Sequence, residues 1–144
     1  MSVSEGELND DEYYGKFRGA GLSTLDAFRL FFAKLALRDI SFVKSDKLKE
    51  FVFHAKRDGL HDELLKNISV RFNGFFYVSE DIEKNINSLQ IWAPLGRSNP
   101  SYDTVINHYS KSSAEKTDKE LESYSSSMEN LIDSFIEYSQ RDST

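Results

Sequence analysis

The chain has no cysteine, so disulfides, thiolate metal ligands and a cysteine nucleophile are excluded. No run approaches the roughly 18–20 apolar residues of a membrane span. The first residues lack a basic stretch followed by an apolar one, so no secretory signal is read and a cytoplasmic location is expected. An H-E-x-x-H zinc pattern and the G-x-x-x-x-G-K spacing of a phosphate-binding loop are also absent. Gly19-Ala20-Gly21-Leu22-Ser23-Thr24 precedes a helix, but without that lysine it reads as a lead-in ending in a helix cap. The three histidines, His54, His61 and His108, lack metal-ligand spacing. Asp10, Asp11 and Glu12 are adjacent acids in a polar segment, which offers no shaped pocket for acid–base work. No nucleophile–base pair or cofactor motif can be read. The expectation is therefore a non-enzymatic protein with no cofactor and no metal.

What is present is ordinary globular material. At 144 residues, 39% hydrophobic and 29% charged, the chain is long enough for one domain with a sizeable core. Eleven phenylalanines predict that this core is aromatic-rich. The net charge of −6 is unevenly spread. Residues 1–14 carry Glu5, Glu7, Asp10, Asp11 and Glu12 with no Lys or Arg. Residues 15–109 hold 14 basic and 11 acidic side chains, and residues 110–144 hold 4 basic and 8 acidic. The acidic total disfavours non-specific binding to nucleic acid or anionic membrane, while the basic middle keeps nucleic acid as a lesser alternative.

Residues 1–21 read as a flexible acidic segment in which Tyr13, Tyr14 and Phe17 are the side chains suited to docking. Ser23 is expected to cap a buried helix over 24–38, with Leu25, Phe28, Phe31, Phe32 and Leu35 at helical spacing. Ile40, Phe42 and Val43 predict a short strand. Ser45 or Asp46 is expected to cap a second helix, ended by Asp58-Gly59, and a short helix from His61 to Asn67 follows. Asn73-Gly74 predicts a two-residue type I′ hairpin turn. In that register Phe72 faces Phe75 and Val70 faces Tyr77, and all four are expected in the core. Ser79 is expected to cap a helix bearing Ile82, Ile86 and Leu89, followed by Trp92 as a plug at the core margin or, as the lesser alternative, an interface anchor. Leu95–Arg97 and Thr104–Ile106 predict a second hairpin, and Lys111 to Lys116 reads as a polar connector.

In the last third, Leu121, Tyr124, Met128, Leu131, Phe135 and Tyr138 follow a 3-4-3-4 spacing, with Ala114 and Thr117 in phase upstream. One helix from Ser113 to Gln140 is expected. At 1.5 Å per residue it reaches roughly 40 Å. A chain of this size has a radius of gyration of about 15 Å, so the helix should overhang the body. Half the stripe is then expected on the body and half open to a partner.

The expected fold is α+β: a small, mostly helical domain with one or two β-hairpins and a long C-terminal helix. It divides into the N-terminal segment (1–21), the body (22–110) and the amphipathic helix (111–144). The order helix, strand, helix, short helix, hairpin resembles that of a winged-helix domain. A second match starts later, with the helix at 80–90 as recognition helix and 95–106 as wing. Lys44, Lys47, Lys49, Arg71 and Arg97 are the candidate phosphate contacts, although Asp46, Glu50, Asp58, Asp62 and Glu63 interleave with them. The favoured expectation is a regulatory, accessory or inhibitor/immunity-type subunit. It would bind another protein, or a second copy of itself, through the C-terminal stripe. The alternative is a winged-helix DNA-binding regulator that dimerises through that helix. No membrane is expected as a partner.

Overall fold

Helix α1 (Thr24–Leu37) is the axis of the molecule, because its apolar residues run all the way round it. Phe28, Leu30, Phe31, Phe32 and Leu35 are all buried, as expected of a helix covered on every side. Ser23 caps it as the sequence implies: its Oγ accepts from the Asp26 amide at 3.2 Å. The computed structural model describes residues 22–91, 94–98 and 103–142. The acidic N-terminal segment, Trp92 and the tip of the second hairpin lie outside the described residues.

After α1 come strand β1 (Phe42–Lys44), helix α2 (Ser45–Arg57), short helix α3 (Asp62–Leu65), and strands β2 (Arg71–Phe72) and β3 (Tyr77–Val78). Helix α4 (Glu80–Ile91) and strands β4 (Leu95–Arg97) and β5 (Thr104–Asn107) follow. The chain then forms helix α5 (Lys111–Glu120), a 3-10 turn (Glu122–Tyr124) and helix α6 (Ser125–Asp142). β1, β5 and β4 form an antiparallel sheet in that order, with Val43 opposite Val105 and Gly96 opposite Ile106. Helix α1, strand β1, helix α2, helix α4 and the β4–β5 hairpin follow one another around this sheet, with α3 and the β2–β3 hairpin inserted between α2 and α4. Among the described residues no helix is long and apolar enough to cross a membrane.

Four local expectations are corrected. The second helix has no side-chain cap: Ser45 is its first residue, and its amide donates instead to the Asp103 carbonyl at 2.9 Å. The 111–116 connector is helical, capped by Ser110, whose Oγ accepts from the Ser113 amide at 3.1 Å. The first hairpin does not turn at Asn73-Gly74 with Phe72 facing Phe75: Arg71 pairs with Val78, Phe72 with Tyr77, and the Asn73 amide donates to the Phe76 carbonyl at 3.0 Å. The Asn73 carboxamide oxygen accepts from the Phe75 amide at 2.9 Å and from the Phe76 amide at 2.8 Å, opening a four-residue loop. Only Gly74 in that loop has positive φ, whereas type I′ needs two such residues.

Fourth, the single overhanging C-terminal helix is two helices broken at Leu121, both folded against the body. Ser123 and Ser125–Ser127 favour such a break, because serine hydroxyls compete for hydrogen bonds in a helix interior. Tertiary contacts fix it. Helix α5 lays Ala114 against Ala33 and Ala36, three small residues that let α1 and α5 approach closely. Helix α6 then covers another side of α1 with Met128, Leu131, Ile132 and Phe135.

Candidate interaction surface

Each residue of the expected stripe lies on the chain's own core. Met128, Leu131 and Phe135 are buried. Leu121, Tyr124 and Tyr138 are half-buried and pack against the same cluster. Phe135 meets Phe31 and Phe51 edge-on, with ring centroids 5.4 Å apart in both cases. The heptad spacing thus marks an intramolecular seam. The half of the stripe expected to stay open is closed by the break at Leu121, which brings α6 back onto α1.

A charge cluster around one buried lysine spans that seam. Lys34, on α1, is 4% exposed and places its ammonium 2.8 Å from both Asp118 and Glu129. It also donates to the Ser125 hydroxyl at 2.6 Å, and Ser125 donates to Asp118 at 2.9 Å. Arg38 adds Glu129 and, at 2.8 Å, Asp133. Arg29 clamps α5 with a two-pronged bond to Glu120 at 3.0 and 3.1 Å. Hydrogen bonds from Arg29, chiefly, hold the Glu120 carboxyl below its ordinary pKa.

The candidate phosphate contacts do not form one patch. Glu83 takes Lys49 at 2.7 Å and Arg97 at 2.6 Å, so both cations are held inside an ion-pair cluster. Lys47 lies over the Tyr138 ring, 6.0 Å from its centroid, and exposed Lys44 is 3.8 Å from Asp103. Arg71 is exposed on β2. The solvent face of α4, the helix at the recognition position, carries Glu80, Lys84, Asn87 and Ile91, one charge of each sign.

The histidines sit in packing roles. His61 adopts a left-handed conformation (φ 55°), and its Nε2 is 3.0 Å from the Ser134 hydroxyl. Burial lowers its pKa. His54 Nε2 meets the Tyr77 hydroxyl at 3.2 Å. Grooves beside Tyr109, beside Phe42 and beside Phe76 are lined by neither His61 nor Ser134. Among the described residues no three His, Asp or Glu side chains gather as metal ligands.

Phe42, Leu60 and Ile91 are exposed singly, whereas the β2–β3 hairpin gathers three exposed phenylalanines within the described residues. Phe72 is 50% exposed, Phe75 84% and Phe76 67%, all within five residues of one tip. Sequence alternation places Phe72 and Phe75 in the core, and the structure overturns that. The four-residue loop displaces Phe75 from the Phe72–Tyr77 pair, and among the described residues no element covers the outer side. The base of the hairpin is nevertheless anchored. Tyr77 packs on Phe53 of α2 with ring centroids 5.2 Å apart and on Phe72 at 4.9 Å. Lys56, also on α2, donates to the carbonyls of Leu65 at 3.1 Å and Ile68 at 2.6 Å, tying down the segment that leads into β2. In comparisons with protein-family models, curated proteins and solved structures, nothing matches this chain.

Proposed function

We propose that this chain is a non-enzymatic protein-interaction module of the regulatory, accessory or inhibitor type, working in the cytoplasm. Its contact element is the tip of the β2–β3 hairpin rather than the C-terminal stripe. The observation that carries this is the joint exposure of Phe72, Phe75 and Phe76, together about two phenylalanines' worth of surface. Fully burying that much aromatic surface gains about 3–6 kcal/mol before association costs are subtracted. Clustered, rigid aromatics of this kind anchor protein interfaces. Anchoring of the hairpin base through Tyr77 means that little ordering is left to be done on binding.

The test is affinity purification of the full chain from its source cells with quantitative mass spectrometry, against the variant Phe75→Ser/Phe76→Ser. A stoichiometric partner held by the wild type and lost by the folded variant is the expected result. Equal recovery of the same partner by both proteins rejects the hairpin as the contact element.

The order of helices and strands around the β1–β5–β4 sheet resembles that of a winged-helix domain and favours a second reading, a DNA-binding regulator. Against it stand the balanced charge of the α4 solvent face and the engagement of Lys49 and Arg97 by Glu83. Fluorescence anisotropy with duplex DNA separates the two readings. Binding that weakens steeply with salt supports the regulator, and no binding at low salt ends it.

A further inference from the structure

A groove of about 500 Å³ runs beside the aromatic tip, between the hairpin and the N-terminal end of α4. Phe76, Tyr77 and Val78 supply its apolar wall. Asp46, Glu80 and Glu83 supply three carboxylates against the single ammonium of Lys49. Glu83 is already neutralised by Lys49 and Arg97 at 2.7 and 2.6 Å. Asp46 and Glu80 are exposed and have no ion-pair partner among the described residues. The exposed cations Arg71 and Lys84 are not part of the lining. The α4 N-terminus itself is satisfied: Ser79 Oγ accepts from the Ile82 amide at 3.0 Å, and Glu80, Asp81 and Glu83 occupy the first turn. The groove therefore pairs aromatic surface with unneutralised negative charge.

We infer that this groove receives an extended segment of the partner protein in which an arginine or lysine stands next to an apolar side chain. The cation meets Asp46 and Glu80, and the apolar neighbour packs on Phe76. This rests on the proposed role of the hairpin as contact element and adds the chemistry of what it contacts. Charge sign selects the occupant. An anionic lipid surface meets the unpaired carboxylates and a chain of net charge −6. The chain's own first 14 residues, with five acids and no Lys or Arg, carry the same sign as the groove. Arginine is the preferred cation, since its guanidinium can both pair with a carboxylate and stack on a phenylalanine ring.

A random twelve-residue peptide library displayed on phage, panned on the full chain, tests this. Enriched peptides should carry Arg or Lys beside Leu, Phe or Trp. A synthetic copy of the strongest should bind Asp46→Asn/Glu80→Gln about 10-fold more weakly than wild type, and the wild-type affinity should fall as salt rises. Acidic or uncharged winners overturn the inference. If only Phe75→Ser/Phe76→Ser loses the peptide, the hairpin remains the contact element and the charge pairing is wrong. If neither variant loses it, both fail. Co-sedimentation with phosphatidylcholine–phosphatidylserine vesicles, abolished by Phe75→Ser/Phe76→Ser, assigns the tip to membranes and overturns the inference as well.

Discussion

Replacing Lys34 with methionine keeps the length of the side chain and removes its charge, leaving Asp118, Ser125 and Glu129 facing a thioether. Removing one partner of a fully buried ion pair costs about 3–5 kcal/mol. Here both carboxylates keep partial access to water and Glu129 keeps Arg38, so the expected loss is about 2–3 kcal/mol. Against a typical total stability of about 5–15 kcal/mol this is a large share, and it lowers the melting temperature by about 7–10 °C. Urea denaturation at neutral pH, with unchanged slope, reads it directly. The triple variant Lys34→Met/Asp118→Asn/Glu129→Gln removes the uncompensated charges and should regain part of the loss. Acid supplies a second readout. Burial opposes the charged forms of all three groups, but the hydrogen bonds among them and to Arg38 and Ser125 outweigh it. Lys34 is thereby raised, and Asp118 and Glu129 are lowered, from their ordinary values. The carboxylate contribution is complete above the ordinary carboxylate range of about 4–4.5 and is lost as pH falls through the lowered folded values. The Lys34 contribution persists below 10.5 and is lost only as pH rises through its higher folded value. Wild type should therefore lose stability more steeply than Lys34→Met below about pH 4. A loss under about 0.5 kcal/mol in the single variant, with parallel acid profiles, refutes the view that these charges hold the C-terminal helices down.

Three further outcomes follow from the same packing. Leu131→Asp places a charge in the core and should unfold the chain, by more than about 4 kcal/mol, as seen by circular dichroism. A folded variant with altered assembly would instead restore the stripe as an external face. Buried Asn107 donates to the Phe32 carbonyl at 2.9 Å and to that of Ile40 at 3.3 Å, so Asn107→Leu should cost about 1–3 kcal/mol in urea melts. Asn73→Ala removes the acceptor shared by two loop amides; hydrogen exchange at Phe75 and Phe76 should quicken while global stability moves by less than about 1 kcal/mol.

Helix α1, the serine caps at Ser23 and Ser79 and the β4–β5 hairpin are legible because each rests on neighbours within a few residues. The break at Leu121 is not, because it depends on Lys34 and Ala33, about 90 residues away, drawing α5 and α6 onto α1. A heptad pattern states that a stripe is buried, not which surface buries it. The hairpin departs from its sequence pattern for a different reason. Asn-Gly satisfies a type I′ turn, but the Asn73 carboxamide competes for the loop amides, and the competition is decided by geometry that no spacing rule contains. Alternating apolar residues on a strand signal a buried face only when another layer covers it. Here Tyr77 leans on Phe53 of α2 and Phe72 on Tyr77, while Phe75 and Phe76 stay largely exposed. The aromatic residues of the tip are therefore evident in the sequence, whereas their exposure depends on which layer covers the hairpin.

If the tip serves contact rather than folding, its two outermost residues should be dispensable for stability. Phe75 and Phe76 offer the loop their backbone amides, which any residue except proline supplies. Most of their side-chain surface already faces water, so Phe75→Ser/Phe76→Ser should move the urea midpoint by no more than about 0.5 kcal/mol. Phe72 is the internal control. Its ring packs on Tyr77 at 4.9 Å and is half-buried, so Phe72→Ser should cost about 1 kcal/mol. A double variant destabilised more than the single one would place Phe75 and Phe76 in the folding core, and any loss of binding by it would then report unfolding. Neutrality of the double variant leaves the surface with two large aromatics that the fold does not need. They sit on a hairpin of two-residue strands, where such residues are a liability for solubility and self-association unless a partner covers them.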